Sequence, residues 1–393
     1  MSALARELRE AVRGDVRFDD GTRALYATDA SNYRKLPIGV VLPTSAADVE
    51  AAVAVCRRHD VPLLSRGGGT SLAGQCCNEG VVLDFSKYMN SVLEIDRDGR
   101  TARVQPGVVL DDLRSAAEEH HLTFGPDPAT HDHCTLGGMI GNNSCGVHAL
   151  MAGKTVDNIE TLDVLTYDGL RMRVGPTSEA ELDGIVRSGA RRGEIYAGLR
   201  RLRDRYADAI RARFPDIPRR VSGYNLDQLL PENGFHVARA LVGTESTCVT
   251  VLEAQCRLVP SPSERIVVVL GFPDIGHAAD RVPDVLGHDP IGLEGIDDRL
   301  VASMRKKGLN LEALPVLPEG AGWLVVELGA DDRRVAESRA HALMSEMEKT
   351  ENAPSMKLLD DPRHERMIWS IRESALGATA NVPGEPPTWP GWE

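Results

Sequence analysis

The sequence predicts an α+β protein built in two main parts, and three observations carry that reading. Two glycine-rich loops, at residues 66–74 and 136–146, each stand beside strand-like sequence. Two pairs of short runs close on Asp98-Gly99 and Asp168-Gly169, a strong hairpin signal because Asp-Gly accepts the positive φ a tight turn requires. Beyond Pro260-Ser261-Pro262 the rhythm changes to apolar strands alternating with longer helices.

In chain order, residues 1–37 read as an exposed amphipathic helix and a tyrosine-bearing connector from Tyr26 to Tyr33. Residues 38–260 form the first main part. There, Thr44 or Ser45 caps a helix from Asp48 to His59, with Ala and Val at helical spacing. Val61 to Ser65 is an apolar strand that runs into the first glycine loop. Val81 to Asp84, Val92 to Ile95 and Thr101 to Val104 are strands, as are Leu162 to Thr166 and Arg171 to Val174. Glu194 to Phe214 is a charged helix whose arginines read as a solvated face. Residues 265–393 form the second part. Its strands are Ile266 to Leu270, Trp323 to Leu328 and Met356 to Leu359, and its helices are Asp274 to Leu286 and Asp331 to Lys349. This strand–helix–strand repeat is the ferredoxin-like plan. Asn381 to Glu393, rich in proline and tryptophan, reads as a loop.

Composition narrows the function class. A 393-residue chain with 42% hydrophobic residues can fill more than one core. Its formal charge of −13, with no Lys/Arg-rich run, argues against a nucleic-acid partner. No run of eighteen apolar residues offers a membrane span, and Met1 to Glu7 lacks a signal-peptide core. Seven irregularly spaced cysteines suggest reduced thiols in the cytoplasm. The absence of Cys-x-x-Cys excludes an iron–sulfur cluster of the usual spacing.

The glycine loops carry the chemistry. Gly67-Gly68-Gly69 removes three successive Cβ atoms, so the backbone can approach a ligand and turn its N–H groups into one concavity. Neither loop ends in the Gly-Lys-Ser/Thr of a P-loop, and the Rossmann spacing is absent. Two polar glycine loops suggest a large dinucleotide held at its middle. A tight turn is the bland alternative for either loop alone.

Specific motifs then point to a family. Val40-Val41-Leu42-Pro43-Thr44 opens residues 38–260, Arg66 to Gly74 follows, and Pro126-Asp127-Pro128 leads through Cys134-Thr135-Leu136-Gly137-Gly138 to Gly146. Leu241-Val242-Gly243-Thr244-Glu245-Ser246-Thr247 closes the set. This series resembles the flavin-binding domain of the vanillyl-alcohol oxidase, or p-cresol methylhydroxylase-type, superfamily. Within it, the chain is most similar to the D-lactate and D-2-hydroxyglutarate dehydrogenase branch, and to the N-terminal flavin part of large bacterial flavin/iron–sulfur fusion proteins. The resemblance implies an FAD-binding domain of two α+β subdomains followed by a ferredoxin-like cap, here partial. It also implies that the chain is the N-terminal fragment of a longer protein, because no counterpart of the family's His-rich metal and base motif is present; the catalytic base is expected beyond the chain end.

The same resemblance assigns residues. Arg66, Gly67, Gly68, Gly69, Thr70 and Ser71 would hold the FAD pyrophosphate. Asp127, Thr135, Gly137, Gly138, Gly141, Asn142, Asn143, Ser144 and Gly146 would line the second loop, with Glu245 and Thr250 in the closing motif. Thr70 stands where some relatives carry a flavin-linking histidine, which implies non-covalent FAD. Val249 replaces a common glycine. Arg372, in Ile368-Trp369-Ser370-Ile371-Arg372-Glu373, matches the arginine that grips the substrate carboxylate; by residue type alone it would be a helix-surface arginine paired with Glu365 or Glu373. The implied reaction takes a small D-2-hydroxy acid, D-2-hydroxyglutarate or D-lactate, to the 2-oxo acid by hydride transfer to flavin N5. Electrons would pass to an acceptor protein or to a fused iron–sulfur domain beyond this chain. A homodimer and peripheral membrane attachment stay open.

Other residues carry weaker signals. His131, Asp132, His133 and Cys134 are incomplete for a closed zinc site and fall inside the second loop, so no metal site is expected. His148 reads as a structural histidine near the flavin edge, Cys145 as a small buried residue, and Arg305-Lys306-Lys307 as a solvated basic patch. Two other function classes remain: a flavoprotein oxidase that reduces oxygen, and a non-catalytic FAD-binding module.

Overall fold

The computed structural model describes residues 2–386, and the chain divides into two compact units. The tail from Pro387, including both tryptophans of the loop read from the sequence, lies outside the described residues.

The first unit holds two sheets. Strands β1 (Asp15–Arg17), β2 (Gly39–Leu42), β3 (Leu63–Arg66) and β4 (Val81–Asp84) form the first, in the order β1-β2-β4-β3. β2, β4 and β3 run parallel, and β1 joins antiparallel to β2. β2 and β4 are buried at every position, which is why Val81-Val82-Leu83 reads as a continuous apolar run rather than an alternating one. Helices α1 (Ala3–Ala11), α2 (Asp20–Leu25) and α3 (Ala46–Arg58) accompany this sheet. α3 begins at Ser45, whose hydroxyl accepts the Asp48 N–H. The N-terminal helix is not the exposed element its sequence suggests. Leu4 and Leu8 of α1 are buried in one cluster with Val49, Val53 and Cys56 of α3.

Strands β5 (Val92–Asp96), β6 (Thr101–Val104), β7 (Leu122–Thr123), β8 (Ile159–Leu165), β9 (Arg171–Val174), β10 (Thr250–Arg257) and β11 (Val259–Pro260) follow. Five of them make an antiparallel sheet in the order β5-β6-β10-β8-β9. Both Asp-Gly hairpins are there. β10, which the sequence shows only as part of a closing motif, is the central strand. Ala102, Val104, Leu162, Val164, Ala254 and Cys256 point to one core, together with Leu113 of α4 (Leu110–Glu118) and Leu136 and Met139 of α5 (Leu136–Asn142). Two short segments from within this stretch, Asp127–Thr130 and Gly146–Ala152 with the one-turn α6 (Ala149–Ala152), belong to the second unit. Helices α7 (Glu179–Arg187), α8 (Arg191–Arg213) and α9 (Val237–Leu241) complete the first unit. The arginines of α8 are not uniformly solvated. Arg203 is buried, ion-paired to Glu179 at 2.5 Å and Asp204 at 2.8 Å, with its guanidinium over the Phe235 ring.

The second unit is a ferredoxin-like sandwich. β12 (Glu264–Phe272), β13 (Gly292–Asp297), β14 (Gly322–Ala330) and β15 (Ser355–Leu359) pair antiparallel in the order β13-β14-β12-β15. Helices α10 (Ile275–Asp280) and α11 (Val282–Leu286) stand in place of the single helix expected from Asp274 to Leu286, because Pro283 opens a new helix there. α12 (Asp298–Lys307), α13 (Arg333–Met347), α14 (Pro362–Glu373) and α15 (Ala375–Thr379) follow. β13 has no sequence signature: Gly-Leu-Glu-Gly-Ile-Asp is poor in β formers, and its ladder with β14 supplies the order. In the basic patch Arg305 and Lys306 are exposed, Lys306 pairing with Glu385, while Lys307 is half-buried and donates to the Gly377 carbonyl at 2.7 Å. Among the described residues, no helix is long and apolar enough to cross a membrane.

Candidate functional site

A cleft with about 760 Å³ of empty space, part of it open to solvent, lies in the first unit. β3 leads into it with Leu64, Ser65 and Arg66, and the loop beyond adds Gly67, Ser71, Gln75 and Cys76. α5 contributes Gly137, Gly138, Ile140, Gly141 and Asn142, with Thr135 at its N-cap. The turn after α9 contributes Thr244, Glu245 and Ser246. Leu64, Phe85, Pro106, Ile140, Leu241, Val249 and Val251 make apolar surface. The cleft thus offers apolar area for flat rings and hydroxyl, amide and backbone donors for a polar centre.

The two glycine loops touch. A Cβ on Gly67 would stand 1.9 Å from Thr135 Oγ1, the atom that accepts the Gly138 N–H and starts α5. Gly67 is therefore required by the protein's own packing. Gly141 differs: a Cβ there meets nothing closer than 3.8 Å. It lines the cleft, and no neighbouring side chain requires it to be bare. The Gly141 carbonyl accepts the Glu245 N–H at 2.9 Å, and Gln75 Nε2 donates to Glu245 Oε1 at 3.4 Å. Glu245 and Ser246 both hold positive φ, 47° and 61°, conformations that non-glycine residues seldom take.

The second unit has its own polar cluster. Arg372, on α14, donates from Nε to Glu294 Oε2 at 2.8 Å and from Nη2 to the Asp127 carbonyl at 3.3 Å. Its partner is Glu294, from β13, and not Glu365 or Glu373 as local spacing suggests. His148 lies between two buried carboxylates, with Nδ1 2.6 Å from Asp127 Oδ2 and Nε2 2.8 Å from Glu327 Oε2. Burial favours the neutral ring, but the bonds and charges of Asp127 and Glu327 outweigh it and raise the imidazole to about 9. Glu327 is held below the usual carboxylate range: burial opposes this, and His148 and Arg265 overcome it.

Comparison with known proteins places this geometry. Residues 37–175 match the model described as "FAD binding domain", and residues 261–393 match "FAD linked oxidases, C-terminal domain". The chain belongs to the FAD-linked oxidase family. It is 30% identical over 384 residues to a D-2-hydroxyglutarate dehydrogenase of Pseudomonas putida, covering 95% of this chain and 38% of that protein. It is 30% identical over 315 residues to the glycolate oxidase subunit GlcD of Bacillus subtilis, covering 78% of this chain and 56% of that one. This member of the family therefore spans well under two thirds of the length of these relatives. An alkyldihydroxyacetonephosphate synthase structure shares the fold, with a TM-score of 0.64 at 17% identity over 95% of this chain and 65% of that one.

Of the residues the family resemblance assigns to FAD, the structure brings Arg66, Gly67, Ser71, Thr135, Gly137, Gly138, Gly141, Asn142 and Glu245 to the cleft. Arg66 lines it, but its guanidinium donates to the carbonyls of Tyr26, Thr28 and Cys76 and so ties down the connector. The remainder do not line the cleft. Gly68 packs on the His133 carbonyl, and Gly69 is left-handed, with φ 68°, and accepts the Ala30 N–H. Thr70 is half-buried in the same loop. Asn143 is a left-handed C-cap whose Oδ1 accepts the Val156 N–H, and Ser144 donates to Asn142 Oδ1. Thr250 lies on β10, its Oγ1 3.5 Å from Ser65 Oγ. Asp127 and Gly146 are in the second unit, where a Cβ on Gly146 would collide with the Asp127 carbonyl at 2.1 Å.

Several cleft residues escape sequence reading: Gln75, Cys76, Phe85 and Pro106. Only Gln75 and Cys76 stand near a motif. His131 bonds Asp111 at 2.7 Å, while His133 pairs with Asp132 at 2.5 Å. Cys145 is half-buried, not buried.

Proposed function

We propose that the chain holds FAD non-covalently in the cleft of its first unit and oxidises a D-2-hydroxy acid to the 2-oxo acid. D-2-hydroxyglutarate is the first candidate and D-lactate the second. The observation that carries the reading is the pair of touching glycine loops, in which Gly141 stays bare although no protein atom demands it. When bound, FAD supplies the acceptor for the substrate's hydride. The protein's part is to bind and orient. Ser71 and Ser246 offer hydroxyl groups and Gln75 and Asn142 offer amides, so a pyrophosphate would be met by dipoles more than by cations. Arg372 retains N–H groups beyond the two it spends on Glu294 and Asp127, which suits a carboxylate. Thr70, with no nucleophilic ring to link flavin, supports the non-covalent mode. The D-2-hydroxyglutarate dehydrogenase of Pseudomonas putida supports the choice of substrate. Electrons then pass to a carrier protein or an iron–sulfur centre supplied outside this chain.

The test is the visible spectrum of the purified protein, before and after anaerobic addition of D-2-hydroxyglutarate, D-lactate or glycolate. Bleaching by one acid supports the reading and names the substrate. Flavin that stays oxidised with all three leaves an FAD-binding module. Peroxide produced stoichiometrically in air identifies an oxidase. Flavin that stays with the acid-precipitated protein contradicts the non-covalent mode.

A further inference from the structure

The buried Asp127–His148–Glu327 chain needs a reason to exist. It places two carboxylates and an imidazole where water cannot solvate them, which costs free energy unless every charge is met. Every charge is met. Asp127 Oδ1 accepts the His148 backbone N–H at 2.9 Å and Oδ2 takes the ring Nδ1 at 2.6 Å. Nε2 meets Glu327 Oε2 at 2.8 Å, and Arg265 approaches Glu327 Oε1 at 3.5 Å while donating to Ser261 Oγ at 3.0 Å. A neutral imidazole has one N–H and cannot donate to two carboxylates, so with both carboxyls ionised the ring between them is an imidazolium. Two cations, His148 and Arg265, balance two anions.

The surroundings are shaped to hold this chain. Gly146 has no Cβ, and one placed there would lie 2.4 Å from Asp127 Oδ1. Gly292 of β13 leaves room for Val147, whose Cγ1 would be 2.6 Å from a Cβ at that position. Asp127 is thereby locked at its side chain, and its carbonyl is the acceptor for Arg372 Nη2. Glu294 holds the Nε edge of the same guanidinium. The ring's other neighbour is Trp369, one turn before Arg372 on α14, with ring centroids 6.5 Å apart.

We propose that Asp127, His148 and Glu327 are positioning residues for Arg372: the doubly bonded imidazolium fixes the Asp127 carbonyl, and that carbonyl aims the guanidinium at a substrate carboxylate. The inference rests on the reading of Arg372 as the carboxylate anchor. Loss of the ring proton leaves one of the two buried carboxylates facing a lone pair, which loosens the chain that fixes Asp127 and with it the aim of Arg372. The charged groups facing the ring or its partners are Asp127, Glu327, Arg265, Arg372, Glu294 and, beside Glu327, Glu365, whose carboxyl is raised by burial and by Glu327. Arginine does not titrate in the accessible range.

The test is calorimetric titration of the FAD-loaded chain with D-2-hydroxyglutarate between pH 6 and about 10. Wild-type affinity is expected to hold at neutral pH and fall as pH rises through about 9, where the ring loses its proton. His148→Gln is expected to weaken binding about tenfold at neutral pH and to abolish the alkaline fall, with FAD affinity unchanged. Glu327→Gln, nearly isosteric, is expected to act in the same direction. Arg372→Met separates the two readings. If it leaves hydroxy-acid affinity unchanged, the anchor reading fails and the positioning role fails with it. If Arg372→Met weakens binding while both His148→Gln and Glu327→Gln bind as wild type with the alkaline fall intact, the positioning role alone is overturned. It is also overturned if the His148 and Glu327 variants lose FAD and hydroxy-acid affinity together, which marks a purely structural cluster.

Discussion

Gly141→Ala should stabilise the apoprotein and weaken FAD binding at the same time. Gly141 lies within α5, and φ there is not positive. Alanine is favoured over glycine in a helix interior because the unfolded chain loses less freedom, a gain of about 0.5–1 kcal/mol. No steric penalty offsets it, since the nearest atom to the new Cβ is Glu245 Cα at 3.8 Å, an ordinary contact. The same methyl, however, enters the wall of the cleft. Displacing a ligand group packed there should cost at least about 1.4 kcal/mol, or tenfold in FAD affinity. Gly137→Ala is the contrast. Its Cβ would meet Pro106 Cβ at 2.7 Å and the Pro106 carbonyl at 2.9 Å, so it should destabilise the protein with or without ligand. The assays are urea unfolding of apoprotein and FAD titration by flavin fluorescence. A Gly141→Ala apoprotein less stable than wild type, or one that binds FAD unchanged, would refute the assignment of this glycine to the ligand.

Three further outcomes are expected. His148 moves from 6.5 to about 9 on folding, so its contribution of about 3 kcal/mol is complete below pH 6.5 and lost as pH rises through about 9; the gap in unfolding free energy between wild type and His148→Gln should close across that window. Asp48 is buried and accepts N–H bonds from Arg13, Gly14 and Thr44 and the Thr44 hydroxyl, and although burial opposes ionisation these donors hold its carboxyl below 3.8. Asp48→Asn should therefore cost about 2 kcal/mol near neutrality, and the difference should shrink as pH falls below 3.8, in urea unfolding followed by circular dichroism. Burial pushes the thiols of Cys56 and Cys256 up to about 12, whereas Cys248 is exposed. Peptide mapping after iodoacetamide should find Cys248 labelled in the native protein and Cys56 and Cys256 only after unfolding.

Much of the cleft proposed for the cofactor was legible in the residues themselves. Gly67, Gly137 and Gly141 are local facts, because a missing Cβ is visible in one letter and two such loops beside strands imply a concave backbone surface. The hairpins at Asp98-Gly99 and Asp168-Gly169 were equally readable, since turn chemistry depends on adjacent residues. The two strands that complete the sheets of the two units were not. β10 has a bulged register against β8, and β13 carries two glycines and two acids, so each owes its order to a partner far away in sequence. The same holds for electrostatics. Arg203 reads as one arginine among many on α8, and only the fold closes Phe235 and Glu179 around it.

From its sequence alone, then, the chain is committed to an α+β fold, to glycine loops that suit a dinucleotide and to the arginine proposed above as the carboxylate anchor. Those properties rest on residue type and short-range spacing. Tertiary structure decided which donors are already spent and which remain. Arg66 turned to backbone carbonyls, Arg372 met Glu294 across 78 residues, and His148 became an imidazolium between Asp127 and Glu327, 21 and 179 residues away. A buried charge is defined by what encloses it, and that enclosure exists only once distant segments have folded together.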